Sequence, residues 1–331
     1  MNQKEYTIVR HTFSDLNGQL ISNRGYSCSL MYKKQQSFLI RSIRRIWNRL
    51  HLPLESIWYD KSVLRGTDKI VVFEPLCTAE YMKWLHKKKP DADIIFWYWN
   101  IAKNTVFPDT IKNEWCRKYS FARLDCVNYN MKFNPLPYFY EIDVGHPEKE
   151  YDVVFVGKDK GRLPALLELR RQFDAMGLKT KFVISPSHSY DKHPEYSPAI
   201  SYIDSVKLGS RSKAVLDYIE VNNSGQSLRV IEALFQKEKI ITNSVLVSDY
   251  DFYCPENIFI LGKDDMSRLG EFLNSPYKEV GEDIIERYDF DKVIERFFMP
   301  DDAYGDRMMS FMRTRKDIEE DVIETTPFSV V

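Results

Sequence analysis

The chain lacks the devices that staple, anchor or strongly charge a protein. Five cysteines, Cys28, Cys77, Cys116, Cys126 and Cys254, are scattered over 331 residues. Their number is odd, their spacings are wide and no C-x-x-C pair occurs, which argues against a disulfide frame or a zinc site and fits a reducing compartment. No run of eighteen apolar residues is present, so nothing reads as a membrane span. The segment Met1–Glu5 lacks the apolar core of a secretory leader. An excess of one charge is missing too. Lys and Arg number 47 against 48 Asp and Glu, a formal net charge of -1. A general nucleic-acid binder would carry a large basic surplus, so that class is set aside. Solenoid-period repeats and low-complexity tracts are also absent.

What remains is an ordinary globular composition, 44% hydrophobic and 29% charged. Its length predicts two domains. In the first half, Tyr6–Val9, Lys69–Phe73 and Ala92–Tyr98 read as strands, with a helix over Thr78–Lys88 between the last two. Strands alternating with helices imply parallel βαβ units. Val144–Glu150 is polar, holds Gly145 and Pro147, and reads as a linker. The pattern then restarts. Tyr151–Gly157 is a strand and Lys158–Arg162 a loop. Leu163, Leu166, Leu169, Phe173 and Met176 recur at helical spacing, Gly177 stands where a helix stops, and Lys181–Ile184 is the next strand. Glu282–Phe298 reads as one helix and Ala303–Val322 as a last, highly charged one. The predicted domains are 1–145 and 151–280, with helices over 281–331.

Three constellations could carry chemistry. In Gly157-Lys158-Asp159-Lys160-Gly161-Arg162, two glycines bracket three charged residues. Glycines let a backbone approach a ligand, and Lys or Arg neutralises phosphate. The loop is neither a P-loop nor a G-x-G-x-x-G turn, and its plainer reading is a solvated βα turn. The second is Gly225-Gln226-Ser227-Leu228-Arg229 opening a helix that carries Glu232, followed by the strand Lys239–Asn243. A helix N-terminus directs free N–H groups at anions, and a carboxylate one to two turns in can accept from ribose hydroxyls. The plainer reading is an amphipathic helix with a surface Glu. The third, Asn243–Tyr253, follows a strand end. Asn243 could touch a donor, whereas Phe252 and Tyr253 read better as core.

The pattern Asp152–Arg162, then Gln226–Leu234, then Lys239–Asn243 and Asp251–Tyr253, resembles bacterial cell-surface polysaccharide glycosyltransferases of the GT-B type. Ser120–Cys126 is similar to the same group. The stronger part of the resemblance covers roughly residues 115–290. It implies two Rossmann-like α/β domains facing across a cleft, with the nucleotide-sugar donor held mainly by the second and C-terminal helices returning to the first. It also implies metal-independent catalysis without a cofactor. Carried over, Arg162, Arg229 or nearby amides meet the diphosphate and Glu232 meets the ribose, with Gly157, Lys160, Gly225, Gln226, Ser227, Leu228 and Asn243 completing the donor site. One departure stands out. Many retaining members carry E-x7-E, and here the first of those positions is Ser224, so retention does not follow.

An inverting enzyme needs a base near the acceptor hydroxyl. His11, Asp15 and Glu74, near ends of predicted strands, are the candidates, and Asn100 could bind acceptor hydroxyls. A capping or surface role is the plainer reading of His11. Lys33–Leu50 forms a basic amphipathic helix, with Leu39, Ile43, Ile46, Trp47 and Leu50 on one face. It could lie on an anionic membrane or pack on the first sheet with solvated arginines. The expectation is a cytoplasmic enzyme at the inner face of the membrane. It would move a sugar from a UDP- or GDP-linked donor to a glycan acceptor carried on a lipid, with no nucleic acid involved. A nucleotide-sugar epimerase of the same fold and an inactive scaffold remain open.

Overall fold

The computed structural model of the chain describes residues 4–34, 37–50, 55–220, 225 and 227–300. Gln226, Ser224 and the expected helix over 303–322 lie outside the described residues. The chain divides into two compact units, one built on residues up to Pro135 plus Ile294–Met299, the other on Leu136–Val293. By this division Val144–Glu150 lies inside the second unit.

The first unit contains β1 (Tyr6–Arg10), α1 (Leu16–Asn23), β2 (Ser27–Leu30), α2 (Phe38–Arg49), β3 (Lys69–Phe73), α3 (Ala79–Lys88), β4 (Asp93–Tyr98), β5 (Arg117–Ser120), α4 (Arg123–Tyr129) and β6 (Lys132–Phe133). Its strands form one six-stranded sheet in the order β2-β1-β3-β4-β5-β6, every pair parallel. Parallel strands are covered on both faces and so read as unbroken apolar runs. Ile70, Val71, Val72 and Phe73 of β3 and Ile94 to Tyr98 of β4 are all buried. Helix α3 begins where Thr78 caps it by accepting from the Tyr81 amide at 3.2 Å. It ends on Lys87 and Lys88, cations that suit the negative end of the helix dipole.

The second unit contains β7 (Tyr151–Lys158), α5 (Leu163–Ala175), β8 (Thr180–Ser185), α6 (Tyr202–Ser210), β9 (Ser212–Asp217), α7 (Leu228–Gln236), β10 (Lys239–Thr242), β11 (Ile258–Ile260), α8 (Leu269–Asn274) and α9 (Glu282–Ile285). Its sheet runs β11-β10-β9-β7-β8, again parallel throughout. Phe155, Leu166, Leu169, Phe173, Leu216 and Ile241 form the centre of its core. The architecture is the GT-B one, two Rossmann-like α/β units with parallel sheets.

The expected single helix over Glu282–Phe298 is broken. After α9 comes a 3-10 turn, Glu286–Tyr288, then Asp289 in an extended conformation, then α10 (Phe290–Arg296). The physical reason is a competing hydrogen-bond partner. Tyr138 N donates to Tyr288 O at 2.8 Å and Phe290 N to Tyr138 O at 3.0 Å, so this backbone is paired as a short parallel bridge. Beyond it the chain rejoins the first unit at Ile294. There Phe297 packs edge-on against Trp97 and Tyr119.

Candidate functional site

In each sheet the chain leaves a first strand toward one side and later returns to its other side. In the second sheet β7 carries β8 on one side and β9 on the other. Loops leaving two such neighbours diverge and open a crevice at their carboxyl ends, the usual ligand position in an open α/β sheet. Gly157 and the loop to Arg162 follow β7, and Asp217 ends β9.

The loop is rigidly built. Asp159 accepts from the Leu163 amide at 2.7 Å, capping α5, and its other oxygen accepts from the Tyr196 hydroxyl at 2.6 Å. Lys160 takes a left-handed conformation, φ 51°, followed by Gly161 at φ 80°. A non-glycine residue there costs roughly 1 kcal/mol or more, and the Lys160 amide is held by the Ser187 hydroxyl at 2.7 Å. The Lys160 ammonium pairs with the half-exposed Glu220. A cavity of about 750 Å³ opens on the β8 side, lined by Lys158, Lys160, Ser187, His188, Lys192 and Tyr196 among others.

Two guanidinium groups converge on Gly157. A Cβ there would lie 3.6 Å from Nη2 of both Arg162 and Arg229 and 3.1 Å from the Phe155 ring, so the position suits only glycine without adjustment. Both guanidinium carbons lie over Phe155, at 5.6 and 5.7 Å from its centroid. Arg229 donates to Asp217 Oδ1 and to the Val156 carbonyl, each at 2.7 Å. Arg162 donates to the carbonyls of Tyr218, Lys158 and Asp159. Burial, then the neighbouring Arg229 charge, push the Arg162 pKa down. Asp217 is 1% exposed at its side chain and is the carboxylate that pairs with Arg229.

Helix α7 begins at Ser227, whose hydroxyl accepts from the Arg229 amide at 3.2 Å. Leu228 is its first residue, and Gly225 is buried just before it. Glu232 is buried. Burial pushes its pKa up, against Arg229 and a hydrogen bond from Tyr202. Tyr202, at the start of α6, also bonds Tyr138. Asn243 is committed to the backbone, accepting from Ile219 N at 2.7 Å and donating to Ile219 O at 3.2 Å.

The first-sheet candidates gather at the ends of β1 and β3. Arg10 grips Asp15 with two bonds, 3.1 and 3.0 Å, and Asp15 also caps α1 through the Gly18 amide. His11 follows β1 directly, and burial, then the Arg10 charge, lower its pKa, opposed by Asp15. Glu74 follows β3, buried, and accepts from Asn100 at 2.9 Å. Burial raises its pKa against that bond and others from Thr105 and Trp99.

Sequence reasoning named both arginines but missed their partners. Asp217 ends β9 and Tyr218 follows it, while Tyr202, the partner of Glu232, begins α6, and the spacing of these segments carried no motif. Ser212–Asp217 is a short buried strand ending in an acid, and that acid was the available signal.

No protein-family model matches the chain, and no curated protein does. Solved structures do. Sucrose-phosphate synthase from Thermosynechococcus elongatus aligns over 88% of this chain and 97% of its own, with 9% identity and a TM-score of 0.51. An α-glucosyltransferase bound to UDP and a mismatch-containing DNA covers 95% and 99%, with 9% identity and a TM-score of 0.49. Anabaena HepE bound to UDP-glucose covers 88% and 98%, with 9% identity and a TM-score of 0.47. The likeness to the synthase is one of fold, and it agrees with the two parallel sheets.

Proposed function

We propose that the chain is a metal-independent glycosyltransferase, moving a sugar from a UDP- or GDP-linked donor to a hydroxyl of a lipid-linked cell-surface glycan. The observation that carries this reading is the convergence of Arg162 and Arg229 on Gly157 at the crevice of the second sheet. Lys160, Arg162 and Arg229 bring three cationic side chains to that end of the sheet, set among Asp159, Asp217, Glu220 and Glu232, and N–H donors of this kind pair with phosphate oxygens. A departing nucleoside diphosphate gains negative charge as the glycosidic bond breaks, and prearranged cations stabilise it more than the intact donor. Arg162 and Lys160 would meet the phosphates, with Gly157, Gly225, Ser227 and Leu228 allowing close backbone approach. Arg229, locked on Asp217, acts through its charge. Glu232 would take the ribose hydroxyls, with Tyr202 fixing its carboxyl group. Asn243 would shape the site by holding Ile219.

The acceptor side falls to the first unit. A His11 pKa below the ordinary value keeps the imidazole neutral near pH 7, the form that accepts a proton from an acceptor hydroxyl. Glu74 supports the same chemistry as the second candidate, and Asn100 would orient it and the acceptor. Asp15, held by Arg10 and by its capping role, fits positioning better than proton transfer.

The test is thermal unfolding against a panel of nucleoside diphosphates and nucleotide sugars. A ligand at roughly 100 times its dissociation constant adds about 2.7 kcal/mol of stability. A shift with uridine or guanosine diphosphates supports the reading. Folded protein that responds to none of them overturns it.

A further inference from the structure

Helix α2, Phe38–Arg49, is twelve residues long and contains no acid. It rests on the first unit through the side that carries Arg44 and Trp47. Trp47 meets Trp58 edge to face at 6.0 Å, and the Arg44 guanidinium lies over the Tyr32 ring at 4.3 Å. At 3.6 residues per turn, Leu39, Ile43, Ile46 and Leu50 form a separate stripe roughly a quarter-turn away. That stripe is not packed on the sheet. Leu39 is 66% exposed, Ile43 43%, Ile46 58% and Leu50 62%, with Phe38 at 73% beside them. Single exposed apolar residues are ordinary, but a contiguous row of this kind marks a contact surface.

Charge identifies what covers it. Residues 33–50 hold Lys33, Lys34, Arg41, Arg44, Arg45 and Arg49 and no Asp or Glu, in a chain whose net charge is -1. Arg45 and Arg49 are exposed on the flank of the stripe. A second copy docked through the same face would set six positive charges against six. An anionic lipid surface complements both halves of the pattern at once, phosphates for the arginines and acyl chains for the stripe. Among the described residues no helix is long and apolar enough to cross a membrane, so the contact is peripheral.

We propose that α2 seats the protein on anionic bilayers, with Leu39, Ile43, Ile46 and Leu50 sunk below the headgroups and Arg45 and Arg49 among them. The lipid-linked acceptor gives this contact its purpose, and only that purpose rests on the glycosyltransferase reading. Lipid binding is measured without donor, acceptor or turnover, so its failure and the failure of that reading are separable.

The experiment is co-sedimentation of the full chain with phosphatidylcholine vesicles, with and without about one-third phosphatidylglycerol. Binding to the anionic vesicles alone is expected, weakening as salt rises. Leu39→Ser with Ile46→Ser should lower it at least about tenfold. Arg45→Gln and Arg49→Gln should each lower it roughly fivefold. All four side chains are exposed, so the variants should melt as the wild type does. Three results overturn the proposal: folded wild type that ignores anionic vesicles, equal binding to neutral ones, or a protein dimer that Leu39→Ser with Ile46→Ser dissolves while lipid binding is absent.

Discussion

The carboxyl ends of the two sheets use the same residue pair in opposite ways. At the second sheet Arg229 binds Asp217, whose side chain is 1% exposed. At the first, Arg10 binds Asp15, whose side chain is 44% exposed. The buried carboxylate has no water to fall back on, so its arginine is obligatory. Arg162 adds a second cation beside it. At the first sheet the ion pair is closed on itself, with the arginine buried and the carboxylate half exposed. What remains around it is titratable, a His11 pushed toward its neutral form and a Glu74 pushed up by burial. On the proposed reading, one end would hold the anion and the other would move the proton, the division of labour that glycosyl transfer requires.

The sharpest way to break this comparison is to remove each arginine. Arg229→Ala leaves Asp217 buried with the Thr242 hydroxyl but without its ion-pair partner and should cost about 3–5 kcal/mol in urea denaturation. Arg10→Ala leaves a carboxylate that water already reaches, so it should cost less, about 1–3 kcal/mol, most of it lost packing of the buried arginine on Phe73. Equal losses would mean that burial does not distinguish the two ends.

The next effect is catalytic. His11→Ala should lower the transfer rate by about 10²–10⁴-fold while donor affinity stays unchanged. In the wild type the rate should fall as acid protonates the imidazole, with its midpoint below pH 6.5 because the His11 pKa is lowered. A pH–rate profile checks both statements. An acid limb unaltered in His11→Ala would hand the role to Glu74.

A smaller effect concerns Glu238, a buried acid just after α7. Glu238 is buried, its Oε1 has no hydrogen-bond partner, and burial with the nearby Glu232 raises its pKa, against Lys149. The unfolded chain therefore loses that proton near the ordinary value of 4.5 while the folded chain keeps it to higher pH. In that window the native state binds more protons, so stability falls as pH rises. Glu238→Gln should remove part of the decline and gain at least about 1 kcal/mol at pH 8. Thermal melts at pH 5 and pH 8 measure it, and a variant that follows the wild-type slope would contradict the assignment.

Much of the fold was legible because parallel strands write themselves as apolar runs. Lys69–Phe73, Ala92–Tyr98 and Tyr151–Gly157 all emerge within a residue or so of β3, β4 and β7. The short strands β2, β5 and β6 did not show, since two to four residues carry too little periodicity. The break at Asp289 was hidden because its cause, Tyr138, lies far away in sequence. At the candidate site the same limit applied. Gly157, Arg162 and Arg229 stood out as residue types in a suggestive order. That Arg229 is spent on Asp217, and Asn243 on Ile219, depends on strands meeting in space. The exposed stripe of α2 was readable as a pattern, and only its burial could separate a core face from a contact face.

The central claim is that the second sheet binds the anion and the first does not. Calorimetric titration of uridine and guanosine diphosphates into the wild type, Lys160→Ala and His11→Ala tests it most directly. The Lys160 ammonium pairs with half-exposed Glu220, so its removal should spare the fold. The account predicts binding of one of the two nucleotides to the wild type, equal binding to His11→Ala, and binding roughly tenfold weaker in Lys160→Ala. Loss of affinity in His11→Ala with none in Lys160→Ala would contradict it.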